Sequence, residues 1–99
     1  MIRRVIIRRE AKRDLREAKA WYRNISRELA NDFVRRIDEA IVLAQERPLA
    51  FQLVHRTFHR ILVHRFPYAL FYHADEMRIV IVAVLHQARD PETLKSRQA

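Results

Sequence analysis

The side chains best suited to chemistry stand in residues 60–91, RILVHRFPYALFYHADEMRIVIVAVLHQARDP. Cleaving RNA without a metal requires a base for the ribose 2′-hydroxyl, an acid for the departing oxygen and cations around the charged phosphorane. Imidazole titrates near neutrality, so His64 or His86 could exchange those protons, and Arg60, Arg65 and Arg89 could hold the phosphate. His86, followed by Arg89 and Asp90, is the best candidate of the set. Period-two alternation puts Arg60 with His64 on one strand face and Arg78 with His86 on one face of another strand. It does not decide whether those faces coincide. Each of these residues also reads as a solvated cap at a strand end, and for His86 a hydrogen-bonded strand terminus is the simpler reading.

His55 and His59 do not read as a metal pair. The spacing lacks the glutamate of HExxH, and residues four apart meet on a helix but not where a loop enters a strand. No metal or cofactor is expected. Trp21 and Tyr22, like Phe66, Tyr68, Phe71 and Tyr72, read as packing residues rather than as a platform for stacking bases.

Elements must bring these side chains together. Ninety-nine residues suffice for one core of helices on a sheet, so residues 1–99 are read as one domain, with 90–99 as a flexible tail. Val5–Arg8 reads as a short first strand, whose apolar run Val5–Ile7 is too brief for the core of a secretory signal. Ala11, Leu15, Ala18, Tyr22 and Ile25 recur at helical spacing, with Glu10, Asp14 and Glu17 on one flank and Lys12, Arg16, Lys19 and Arg23 on the other. The basic flank is either a solvated face or a contact for a partner. Ser26 fits an N-cap for a second helix running to about Gln45, and the short link makes an antiparallel helix pair. Three strands follow, near 57–66, 68–73 and 77–86, with no helix between them, which predicts an antiparallel meander.

The last strand is apolar on both faces. Strict alternation points Ile79, Ile81, Ala83 and Leu85 one way and Val80, Val82 and Val84 the other, beside Arg78 and His86. A helix pair covers one face only. The second row therefore needs the C-terminal tail or a partner segment over it.

Composition excludes several classes. The chain has no cysteine, hence no disulfide framework and no thiolate chemistry, and no glycine, hence no phosphate-cradling loop of the Walker or dinucleotide type. Its longest apolar run, 79–85, is far short of the roughly 20 residues of a membrane span. A cytoplasmic location is expected. The net charge of +8 is uneven: residues 1–36 hold twelve Lys/Arg against five Asp/Glu, and residues 37–99 eight against seven. Such a field suits an acidic partner, protein or nucleic acid.

Strand, amphipathic helix pair and meander ending in a histidine, in that order, resemble the RelE/ParE superfamily of type II toxin-antitoxin toxins. The likeness runs through AKRDLREAKAWY at 11–22, FVRRIDEAI at 33–41, Pro48, RILVHRFPYALFY at 60–72 and VLHQARDP at 84–91. RFPY and LHQARDP look most like the ParE, or plasmid-stabilisation, branch. The resemblance implies an α+β fold of order β-α-α-β-β-β, a helix hairpin on a small antiparallel sheet. It implies a toxin neutralised in a hetero-oligomer with a cognate antitoxin. ParE-type members are associated with inhibition of DNA gyrase, RelE-type members with cleavage of mRNA on the ribosome; a non-toxic, antitoxin-binding member is a third outcome. Ribonuclease members often carry a C-terminal tyrosine, whereas here Gln87 follows His86 and no tyrosine occurs after Tyr72. That departure favours the gyrase-directed reading over catalysis by Arg60, Arg65, His86 and Arg89. Antitoxins of the family wrap the helix pair and the sheet, which would suit the basic flank (Lys12, Arg16, Lys19, Arg23) and the apolar row (Val80, Val82, Val84).

Overall fold

The computed structural model describes residues 2–88 and 92–97. Strand β1 (Arg4–Ile7) leads into helices α1 (Arg9–Arg23) and α2 (Arg27–Glu46), followed by strands β2 (Leu53–His55), β3 (Phe58–Leu62), β4 (Tyr68–Ala74) and β5 (Arg78–His86) and a single turn of helix, α3 (Thr93–Ser96). The helix pair packs on one five-stranded sheet of order β1-β5-β4-β3-β2. Ser26 caps α2 by accepting the Leu29 N–H at 3.0 Å. Ile25, expected on the apolar stripe of α1, falls in the link between the helices and is exposed.

The predicted meander is present: β3, β4 and β5 pair antiparallel in sequence order. Two features enlarge the sheet. β1 joins it parallel to β5, so the sheet is mixed, and 53–55 adds an edge strand where a loop was expected. Parallel pairing of β1 follows from its connection. β5 follows β1 only after the helix pair and three intervening strands, and a connection that long permits two strands to run parallel side by side.

The helix-side core centres on four rings, Tyr22, Phe33, Phe66 and Tyr68, whose centroids lie 5.0–6.1 Å apart in tilted or edge-on pairs. Ala11, Ala18, Ala30, Ala40 and Ala44 let the helices approach this cluster and the sheet. Tyr72 fastens the 47–52 loop to the sheet: its buried hydroxyl donates to Pro48 O at 2.6 Å, and burial pushes its acidity to a pKa of about 12. His59 stacks on Tyr72 with centroids 5.2 Å apart and donates from Nδ1 to Phe51 O at 2.8 Å. It is a structural histidine.

A bulge in β5 reorganises the two faces. Phe71 pairs with Ala83 and Tyr72 with Ile81, so Val82 is an extra residue. Ile79, Ile81 and Val84 consequently join the helix-side core, while Val80, Val82, Ala83 and Leu85 point into a second cluster with Phe58, Phe71 and Leu94. The apolar row expected from strict alternation, Val80, Val82 and Val84, is therefore not one row. All three are buried, and on the second face α3 supplies Leu94 from the chain's own tail.

Candidate functional site

Arg60 sits in mid-strand on β3 and pairs across the sheet with Phe71, which puts it on the second face. Its Nη2 donates to Gln52 Oε1 at 2.9 Å. Together with Val54, Ala69, Leu85 and Leu94 it lines a cleft of about 230 Å³ that His86 borders at the strand end. His86 nevertheless belongs to the other side. It pairs with Tyr68, and its ring stands edge-on to the Tyr68 ring at 5.3 Å, against the helix-side core. The ring contact fixes where the imidazole points; the shared cleft border reflects only the closeness of the strand end. His86 Nδ1 accepts the Ala88 N–H at 3.1 Å. That bond occupies the Nδ1 lone pair, so in the neutral ring the hydrogen sits on Nε2.

Arg65 is not on a strand at all. β3 ends at Leu62, and the following turn, closed by Phe66 N–H to Val63 O at 3.1 Å, holds Arg65 at φ 70°. In a chain without glycine this left-handed position falls to an arginine, at some steric cost. Arg65 faces the first half of α2, where it borders a cleft with Glu28, Asp32, Arg35 and Arg36. Thus the three candidate catalytic residues among the described residues, Arg60, Arg65 and His86, do not converge. Arg60 stands on one face, His86 at the strand end on the other, Arg65 on the α2 side, and Arg89 lies outside the described residues.

The basic flank of α1 is presented as the spacing implied. Lys12, Arg16, Lys19 and Arg23 are all exposed, and among the described residues none is held in an ion pair. Beside them Arg16 and Lys19 rim an apolar groove of about 230 Å³ between the helices, with Leu15, Val34, Ile37 and Ile41 in its walls. Nothing in linear spacing announces this groove; it exists because two helices with small residues at their contact leave a furrow beside it.

On the acidic flank of α1, Asp14 has a structural task. β1 ends at Ile7, so β5 beyond Ile81 has no strand on its outer side. Asp14 Oδ2 accepts the Val84 N–H at 3.0 Å, and Arg97 Nη1 donates to Val82 O at 2.8 Å. The two side chains then clasp each other, Arg97 Nη1 to Asp14 Oδ2 at 2.8 Å and Nη2 to Oδ1 at 3.1 Å. This fork closes the open strand edge and pins α3, with Leu94, over the second face. Neither partner was singled out by sequence, because the pair is separated by 83 positions.

Trp21 departs from expectation. Tyr22 packs in the core, but Trp21 turns outward with 57% of its surface exposed. It stands over a cleft of about 460 Å³ between α1 and the C-terminal segment.

His73 lies on the second face, roughly parallel to the Phe58 ring at a centroid distance of 6.2 Å, with its Nε2 buried and lacking a hydrogen-bond partner. Burial, then the Arg8 and Arg78 charges, hold its pKa below the ordinary value, against a smaller opposing pull from Asp75. Asp75 itself shapes the β4–β5 turn, its Oδ1 accepting the Met77 and Arg78 N–H groups at 2.8 and 2.9 Å. These bonds replace the glycine such a hairpin usually uses and lower the Asp75 pKa.

Residues 5–91 match the family model described as ParE toxin of type II toxin-antitoxin system, parDE. A solved structure of the chromosomal ParDE toxin-antitoxin system from P. aeruginosa is similar in fold, with a TM-score of 0.74 at 18% sequence identity, over 86% of this chain and 96% of that one. No curated protein matches.

Proposed function

This chain belongs to the ParE toxin family of type II toxin-antitoxin systems, and from that premise we propose that it arrests growth by inhibiting DNA gyrase through protein–protein contact, in the cytoplasm. It is the toxin of its pair, and its partner is an antitoxin. The arrangement of His86 is the observation that supports a non-catalytic action. Its ring stands against Tyr68 and accepts the Ala88 N–H, and its register partner Tyr68 belongs to the opposite sheet face from Phe71, the partner of Arg60. An acid, a base and a phosphate clamp within reach of one phosphodiester are not assembled among the described residues.

The antitoxin contact is assigned to the basic flank Lys12, Arg16, Lys19 and Arg23 with the adjoining groove between α1 and α2. An acidic segment with apolar anchors would satisfy both, the anchors entering between Leu15, Val34 and Ile41 and the carboxylates meeting Arg16 and Lys19. Val80, Val82 and Val84 are not part of this contact in the state described, because they are already buried.

Purified gyrase and induced cells test the proposal together. Saturating toxin should trap cleaved DNA in a supercoiling reaction, and growth arrest should survive His86→Ala and Arg60→Ala. Normal supercoiling, together with cleaved messages that disappear in those two variants, would overturn it in favour of ribosome-dependent RNA cleavage.

A further inference from the structure

Arg13, Glu17 and Trp21 follow one another at four-residue intervals along α1, so they form a single ridge about 12 Å long. All three are exposed, and among the described residues none has a hydrogen-bond, ion-pair or ring partner. The ridge borders the 460 Å³ cleft, which Ala18, Leu85 and Thr93 also line. Asp14 and Arg97 also border this cleft, but their clasp satisfies them and fixes the wall in place. A tryptophan left in solvent beside a built cleft, followed in order by a free carboxylate and a free guanidinium, is a sequence of three distinct recognition chemistries.

The geometry points to a ribonucleotide site. A base would lie on the Trp21 face, as bases stack on aromatic side chains in single-strand binders. Glu17, next along the ridge, would accept hydrogen bonds from the ribose hydroxyls, the task an acidic residue performs in dinucleotide folds. Arg13, at the far end, would take the phosphate, for which a guanidinium is well suited. Base, sugar and phosphate thus meet aromatic, acid and cation in matching order. A cationic ligand would also suit Trp21 and Glu17, but Arg13 and a net charge of +8 repel it. An acidic peptide would suit Arg13 and would be repelled by Glu17. This site does not depend on the gyrase reading proposed above.

Trp21 is the only tryptophan in the chain, so its fluorescence reports on this cleft alone. The full-length toxin is titrated with AMP, with 2′-deoxy-AMP and with a short oligoadenylate. Saturable quenching by AMP or by the oligoadenylate is expected, the first assigning the site to free nucleotides and the second to single-stranded RNA. Loss of the 2′-hydroxyl, Glu17→Ala or Arg13→Ala should each weaken it about tenfold or more. Trp21→Ala, followed by calorimetry, should abolish measurable binding. Glu17→Ala separates recognition from general attraction, because removing an acid from a basic protein would tighten a merely electrostatic association. No saturable quenching at millimolar nucleotide, or quenching unchanged or strengthened in Glu17→Ala, would overturn the site.

Discussion

Arg65 and His73 carry strain and burial that their residue types do not advertise. At φ 70° a β-carbon crowds the backbone by an amount worth about 1–2 kcal/mol, and among the described residues no side-chain hydrogen bond requires an arginine there. Arg65→Gly should therefore raise stability by about 1 kcal/mol, less whatever the glycine adds to the freedom of the unfolded chain; the urea midpoint measures it. His73 is expected to make stability fall in acid. Its folded pKa lies below the ordinary 6.5, so the unfolded chain binds the proton more readily. Stability is then undiminished above about pH 6.5 and declines as the pH drops from there towards the folded pKa. His73→Phe should flatten that decline in urea titrations at successive pH values, whereas an unchanged slope would assign it to other groups. Residue type alone gave a fair account of Ser26 as a cap. It failed for Arg65, because a left-handed position usually announces itself by a glycine and this chain has none.

Between elements, the decisive feature is the bulge at Val82. One inserted residue moves Val84 to the helix side and Ala83 to the opposite face, and the backbone groups it leaves along the open edge are taken by Asp14 and Arg97. Both side chains are largely buried, at 10% and 13% exposure, so removing one strands the other. Asp14→Ala should cost about 3 kcal/mol, within the range for breaking such a pair. The double variant Asp14→Ala/Arg97→Ala should cost much less than the sum of the two single variants, and amide exchange at Val82 and Val84 should quicken in all three. Additive losses would show that the two side chains act independently. Helical spacing made the stripe of α1 and the cap of α2 legible, because each is local. The bulge was not, since period-two reading assumes that every residue advances the strand by one place.

Across the whole molecule, charge and apolar surface are arranged for association. The first 36 residues hold most of the net positive charge, and α1 displays it beside a groove that an apolar anchor can enter. Association with the antitoxin should accordingly be fast at low ionic strength and slow as salt rises, and Lys12→Glu/Lys19→Glu should lower the association rate more than it raises the dissociation rate. Stopped-flow mixing at two salt concentrations measures both. The second face of the sheet is the counter-example. Composition shows that β5 is apolar on both sides and needs a cover, but α3 and Leu94 provide it only because Arg97 finds Asp14 across the fold. The sequence by itself determined the helix pair, the meander, the basic flank and the excluded chemistries, since each follows from spacing or composition within a short segment. Tertiary structure alone decided the parallel place of β1, the separation of Arg60 from His86 and the outward turn of Trp21. These depend on which distant segments share a surface, and that is settled by how the whole chain closes its core.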